Sequence, residues 1–297
     1  MALDYSLIRS WLFVPGDSER KLQRCWEAGA DALIIDLEDS VPSENKVAAR
    51  GVARNAIDAA TRKGTAVCIR INALDTGMSF DDLDETIACR PDAYVLPKVT
   101  DPEDVRSVSR HIGQLEAKHG IRAGGVRLVA IVTEHPRGVM RLDELCRADA
   151  RTAAVMWGTE DLSAAIGARR VKNADGTMLD VFRVVRSLTV LAASAAGLAS
   201  LDTPVVELDA LDVLRLESAE AAAMGFTGKV AIHPSQVAPI NEAFLPDAAA
   251  LEYARALLAA AQGNEGTFRF REKMIDMPHI KTARRLIALA DAHEAGE

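Results

Sequence analysis

The run Leu128-Val129-Ala130-Ile131-Val132 leads directly into Thr133-Glu134-His135-Pro136 and the amphipathic stretch Arg137–Cys146. A second apolar run, Ala153-Ala154-Val155-Met156-Trp157, then ends on Gly158-Thr159-Glu160-Asp161. Neither run shows the polar alternation of a half-exposed strand, so each reads as a strand covered on both faces. Strand, helix and strand in that order make one unit of a parallel β/α architecture.

The unit recurs in both directions. Upstream, Ser10–Val14, Ala32–Ile35, Ala66–Ile71 and Ala93–Leu96 read as strands; downstream, so do a weaker segment at Leu198–Leu201 and Lys229–Ile232. Helical patterns lie between them at Glu19–Ala28, Glu44–Arg62, Glu103–Lys118, Val181–Ala196 and Leu211–Met224, with start signals at Asp17 or Ser18, Ser43 and Asp101-Pro102. Eight such units are what a closed (β/α)8 TIM barrel of about 250 residues contains. A doubly wound open sheet is the rival. The strand ends favour the barrel, because Pro15-Gly16-Asp17, Asp36-Leu37-Glu38-Asp39, Arg70-Ile71-Asn72, Pro97-Lys98, Asp202-Thr203-Pro204 and His233-Pro234-Ser235-Gln236 gather polar groups at one rim. The barrel is expected over residues 1–262. Residues 263–297 are expected to form a linker and a short C-terminal helical extension, with Ile280, Ala283, Ile287 and Ala290 on one face. That tail is too small for an independent core and is expected to pack on a neighbouring subunit.

Composition narrows the function classes. Of 297 residues, 49% are hydrophobic and 26% charged, which excludes large-scale disorder. With 35 basic and 43 acidic residues the net charge is −8, and aromatics are 4%, so no nucleic-acid partner is expected. Cys25, Cys68, Cys89 and Cys146 form no C-x-x-C pair and read as reduced thiols in a cytoplasmic protein. No apolar run nears the roughly 20 residues of a membrane span, and the first residues lack a signal-peptide pattern.

The chemistry concentrates in the rim. Glu134 and Asp161 follow adjacent strands, and Asp36, Glu38 and Asp39 lie across the mouth. Carboxylates gathered in one cavity suit an oxygen-liganded Mg²⁺; the alternative is that Glu134 or Asp161 caps the following helix. Arg70 can fork onto a substrate carboxylate or pair with Asp36 or Glu38. Lys98 reads as a phosphate contact or salt bridge rather than a Schiff-base lysine. Gly228-Lys229 lacks the spacing of a phosphate-binding Walker loop, and His233 with Ser235 has no third partner for a triad.

These segments together resemble the citrate lyase β-subunit-like family of CoA-ester lyases, within the HpcH/HpaI aldolase superfamily. The resemblance rests on Arg9–Gly16, Asp36–Val41, Arg70–Asn72, Leu96–Val99, Trp157–Leu162, Phe226–Lys229, Ile232–Gln236 and Lys273–His279. It implies Glu134 and Asp161 as Mg²⁺ ligands, and Arg70, with Glu38 nearby, as part of the catalytic centre. It also implies that Pro15, Gly16, Lys98 and His233 lie near a CoA thioester, and that Asp276 is an acid/base reaching a neighbouring subunit's site. Family members commonly carry Glu-Thr-Ala or Glu-Thr-Pro where this chain has Glu134-His135-Pro136, which alters the acid-binding pocket. The implied reaction is Mg²⁺-dependent retro-Claisen cleavage of a malyl-CoA- or citramalyl-CoA-type ester to acetyl-CoA and a 2-oxo acid, in a homo-oligomer, trimer or hexamer. Alternatives are a malate synthase or malyl-CoA thioesterase, a citrate lyase β subunit acting on an acyl-carrier-protein thioester, and a silent binding barrel.

Overall fold

A computed structural model describes residues 3–62, 64–262 and 266–294. All eight expected strands form, each within one residue of its expected ends: β1 Ser10–Pro15, β2 Ala32–Asp36, β3 Ala66–Arg70, β4 Ala93–Leu96, β5 Arg127–Ile131, β6 Thr152–Met156, β7 Ala199–Asp202 and β8 Gly228–Ala231. They pair in sequence order, and β8 closes in parallel on β1, which excludes the open sheet. Around them run α1 Glu19–Cys25, α2 Lys46–Ala59, α3 Ser79–Thr86, α4 Pro102–Lys118, α5 Pro136–Val139, α6 Leu142–Cys146, α7 Glu160–Ala165, α8 Asp180–Ala196, α9 Leu211–Met224 and α10 Val237–Phe244.

Strand period decides what fills the lumen. Alternate residues such as Trp11, Ile34, Cys68, Val95, Ile131 and Leu201 face inward and pack as one buried cluster. Tyr5 and Ile8 join that cluster ahead of β1, and the Tyr5 hydroxyl donates to the Asp92 carbonyl at 2.9 Å, closing the end where the strands begin. All four cysteines are buried and free. No helix among the described residues is long and apolar enough to cross a membrane.

Two expectations about helices need revision. The stretch Arg137–Cys146 divides into α5 and α6 at Arg141, whose backbone leaves helical geometry. Close approach explains why α5 sits where it does: a Cβ on Gly138 would stand 2.5 Å from the Val132 carbonyl and 2.7 Å from that of Val99. At α4 the Asp101-Pro102 signal is a full capping box, with Asp101 accepting from the Glu103 N–H and Asp104 accepting from the Asp101 N–H. Ser18 makes no capping hydrogen bond, and Ser43 opens a 3-10 turn rather than a helix.

The chain divides into compact units at Met1–Asn241 and Glu242–Glu297, earlier than the expected boundary after residue 262. Helix α11, Ala248–Ala261, belongs to the second unit. Its Ala254 and Leu257 pack with Ile275, Ile280 and Ala283, the last two from α12, Met277–Glu294. The expected apolar face of the terminal helix is therefore met, by a partner in the same unit. The polar segment with two phenylalanines is a hairpin, β9 Phe268–Phe270 against β10 Lys273–Ile275, turning at Arg271 with a left-handed φ of 52°. The expected linker residues 263–265 lie outside the described residues.

Outside the barrel wall lies a buried charge network. Asp202 and Lys229 alternate with the lumen residues Leu201 and Val230, so they face the helical layer. Lys229 Nζ donates to Asp202 Oδ2 at 2.6 Å, Arg186 of α8 donates to both Asp202 oxygens at 3.0 and 3.1 Å, and Trp157 Nε1 donates to Oδ1 at 2.8 Å. Burial alone would raise the Asp202 carboxyl, but the two cations outweigh it and hold the group below the usual carboxylate range. Asp202→Asn leaves both cations buried without their counter-ion, and urea titration at pH 7 should show a loss of about 3–5 kcal/mol. The carboxyl's folded value lies below an unfolded value of about 4, so its stabilisation is complete above that pH and is lost as pH falls through the folded value. The acid limb of the stability profile should accordingly be shallower in the variant.

Candidate active site

On β2 and β3 the inward positions run Ala32, Ile34, Asp36 and Ala66, Cys68, Arg70. The last inward position of each strand is therefore charged, and the two pair directly in register. Arg70 Nε and Nη2 donate to the two Asp36 oxygens, both at 2.7 Å, while Nη1 lies 3.0 Å from Glu38 Oε2. The guanidinium also sits over the Phe13 ring, 4.8 Å from its centroid. Asp36 accepts the N–H groups of Glu38 and Ser40, which fixes the turn after β2 and presents Glu38 to the mouth.

Glu38 is buried, and Lys98 Nζ donates to its Oε1 at 2.7 Å and to Asp39 at 3.2 Å. Glu38 Oε2 faces Arg70 without hydrogen-bond geometry and has no hydrogen-bond partner among the described residues. Burial raises the Glu38 carboxyl despite Arg70 and Lys98. Lys98 holds a left-handed φ of 54°, and its backbone N–H donates to Glu134 Oε2 at 2.5 Å. One residue thus holds two acids, with its amide on one and its ammonium on the other.

Glu134 follows β5 and is buried, with Gly158 after β6 packed beside it; a Cβ there would lie 3.1 Å from Glu134 Cγ. Burial pushes the Glu134 carboxyl up, the Lys98 amide opposes this, and Asp161 and Glu38 add like charge, leaving it at about 8. Neither acid serves as a helix cap. His135 takes that role for α5, its Nδ1 accepting the Arg137 N–H, and Thr159 precedes α7. The Asp161 carboxylate makes no hydrogen bond or ion pair among the described residues. Two carboxylates pressing on each other, one of them unengaged, are what a cation relieves. No third Asp, Glu, His or Cys completes a metal-holding group with them among the described residues. The pair fits Mg²⁺, which takes one or two carboxylates and keeps its waters.

The remaining expected residues divide. Pro15 ends β1 opposite Asp36, and the Gly16 N–H donates to the Asp36 carbonyl at 2.8 Å, so both belong to the same rim. His233 is exposed after β8, where its Nδ1 meets Ser235 Oγ at 2.7 Å and accepts the Ser235 N–H; no described hydrogen bond ties it to the Arg70–Glu134 cluster. Asp276 lies in the second unit, its Oδ1 2.5 Å from His279 Nδ1. Lys229, which the failed Walker spacing left without a role, is structural.

Sequence reasoning missed the support beneath Glu38. Lys46 Nζ donates to the Glu38 carbonyl at 2.9 Å and to Asn72 Oδ1 at 2.5 Å, and Asn72 donates from its amide and side chain to Asp82. Arg50 pairs with Asp82 from below at 2.7 Å. A signal was available: Lys46 opens α2, where a cation opposes the helix dipole.

The HpcH/HpaI aldolase/citrate lyase family model matches residues 9–234. Mouse mitochondrial citramalyl-CoA lyase is 33% identical over 296 residues, covering 95% of this chain and 86% of its own length. A citrate lyase subunit beta-like protein of Mycobacterium tuberculosis is 36% identical over 282 residues, 94% of each chain. The crystal structure of CitE from Mycobacterium tuberculosis in complex with magnesium, acetoacetate and coenzyme A aligns with a TM-score of 0.78 at 33% identity, covering 95% of this chain and 98% of that one.

The rim tolerates no side chain at position 16, where a Cβ would lie 2.8 Å from the Asp36 carbonyl and 2.9 Å from Leu37 Cδ2. Gly16→Ala should lower unfolding free energy by about 1–3 kcal/mol in urea titration.

Proposed function

The chain belongs to the HpcH/HpaI aldolase/citrate lyase family, and from that premise we propose that it is a Mg²⁺-dependent lyase cleaving a malyl-CoA- or citramalyl-CoA-type 3-hydroxyacyl-CoA to acetyl-CoA and a 2-oxo acid. One observation carries this reading: a half-buried, aromatic-backed guanidinium and a pair of mutually repelling carboxylates share one end of the barrel. A citramalyl-CoA lyase and a CitE structure with magnesium, acetoacetate and coenzyme A, both alike over nearly the whole chain, support it.

Glu134 and Asp161 would hold Mg²⁺, which supplies a Lewis acid for the oxygens of the substrate's oxo-acid half. Arg70 binds the carboxylate end. Its bidentate hold on Asp36 fixes the guanidinium plane, while the Nη1 edge, which only faces Glu38, is the one that turns to substrate. Glu38 lies beside that edge and is our candidate base for the hydroxyl proton. As that proton leaves, the C2–C3 bond breaks, the hydroxyl carbon becomes the 2-oxo carbonyl, and the electron pair passes to the thioester enolate. Asp276 is assigned to return a proton to that enolate carbon. Lys98 keeps the Glu38 charge compensated while substrate exchanges for it at Arg70.

The decisive experiment incubates the full chain with malyl-, methylmalyl- and citramalyl-CoA and identifies products by mass. We expect acyl-CoA and 2-oxo acid in equal amounts from at least one substrate, abolished by EDTA and restored by Mg²⁺. Glu134→Ala should lose both Mg²⁺ binding in calorimetry and turnover; cleavage that survives EDTA and this substitution overturns the metal role. Asp276→Asn should lower kcat about 10²–10⁴-fold with little change in KM. Free CoA in place of acetyl-CoA would identify a thioesterase instead.

A further inference from the structure

Asp276 stands between the end of β10 and the first turn of α12, with an anchor on each side. Ile275 and Ile280 are both buried in the core of the second unit, so the short segment between them is fixed at its two ends. The Ile280 N–H donates to the Asp276 carbonyl at 3.3 Å, which closes the turn. Side chains three residues apart meet on one face of a helix. Here Asp276 Oδ1 and His279 Nδ1 meet at 2.5 Å, with the two side chains 46 and 48% exposed. Among the described residues no other side chain bonds to or pairs with Asp276, and its Oδ2 is left unengaged. The Asp276 N–H reaches the same ring nitrogen at 3.4 Å, the length of a marginal hydrogen bond. A side chain serving only to cap the helix would take that N–H at the shorter distance; this ring lies closer to the carboxyl.

We propose that His279 is a positioning residue for Asp276: its Nδ1–H holds Oδ1 and leaves Oδ2 as the oxygen that exchanges a proton with the enolate carbon. The inference rests on the acid/base assignment of Asp276 made above. A carboxyl group turns readily about its last bond, so without a tether its two oxygens interchange. With Oδ1 tied to the ring, one orientation remains, and the reacting oxygen is always the same one. In cleavage the Oδ2–H bond breaks as the enolate carbon gains its C–H bond, and the bonding pair stays on the carboxyl as negative charge. That charge strengthens the bond from Nδ1–H to Oδ1, because a hydrogen bond to an ionised acceptor is shorter and about twice as strong as one to a neutral acceptor. The ring keeps its own proton throughout. His279 therefore holds Asp276 before the transfer and holds it more strongly as the charge develops.

The test is a double-substitution cycle on the full chain, reading kcat and KM for cleavage of malyl-, methylmalyl- and citramalyl-CoA. His279→Leu should lower kcat about 10–100-fold, with KM and calorimetric Mg²⁺ binding unchanged. His279→Asn, whose side-chain N–H can stand in for Nδ1–H, should regain most of that loss. In the Asp276→Asn background His279→Leu should cost nothing further, because its effect passes through Asp276. Urea unfolding of each variant reports any loss of helix capping separately, and His279→Ala takes the place of the leucine variant if that one fails to fold. Full kcat in His279→Leu beside an impaired Asp276→Asn overturns this inference and leaves the assignment of Asp276 standing. Full kcat in Asp276→Asn, or a wild type that cleaves none of the three esters, overturns both. Equal losses from His279→Leu in the two backgrounds, or no recovery in His279→Asn, gives His279 a role in the fold alone and likewise overturns the inference.

Discussion

The bidentate pair between Asp36 and Arg70 governs the geometry above the barrel's lumen. Parallel strands in register bring these last inward residues of β2 and β3 side by side, and neither can leave the wall without exposing the other as a buried charge. The pair sets the plane of the guanidinium over Phe13. Asp36's remaining hydrogen bonds fix the turn that carries Glu38, Glu38 fixes the Lys98 ammonium, and the Lys98 amide fixes Glu134. Groups from four strand ends thus form one continuous chain, linked by opposite charges from Asp36 to Lys98 and by a backbone amide from Lys98 to Glu134.

The molecule contains a second buried charge network, and strand parity tells the two apart. Asp36 and Arg70 share the inward register of Ile34 and Cys68 and end at an open mouth. Asp202 and Lys229 share the outward register and end against α8, where Arg186 and Trp157 satisfy them. Lys229 is fully buried and Asp202 nearly so, whereas at the mouth Glu38 keeps an oxygen without a hydrogen bond and Asp161 keeps a free carboxylate. Completed networks fix a fold; incomplete ones leave groups available to a ligand.

That distinction also explains what was legible in the sequence. The eight strands were, because a strand covered on both faces must be an unbroken apolar run, and the acidic rim was, because polar residues follow each run directly. The partner of Arg70 was not: Asp36 and Glu38 lie two residues apart, and only register decides that one takes the fork and the other the edge. Gly228-Lys229 resembles the end of a Walker loop only because its glycine is required by packing, a Cβ on Gly228 lying 2.5 Å from the Ile8 carbonyl. The unit boundary was hidden because α11 is apolar in the manner of a barrel helix, and only the positions of Ile275, Ile280 and Ala283 show what its apolar face covers. Lys46 and Asn72 act through contacts that join segments 26 residues apart, which no local pattern records.

The backbone of Lys98 joins these arguments. A left-handed conformation costs a residue with a Cβ roughly 1–2 kcal/mol, and most chains place glycine or asparagine there. Glycine at position 98 would relieve that cost and still offer its amide to Glu134, but Glu38 would then face Arg70 with no ammonium to balance it. An extended conformation would keep the ammonium and turn the amide away from Glu134. Only a long cationic side chain on a left-handed backbone serves both acids at once. The strain therefore lies at the one residue joining the carboxylate that touches Arg70 to the carboxylate that faces Asp161, between the two halves of the charge arrangement.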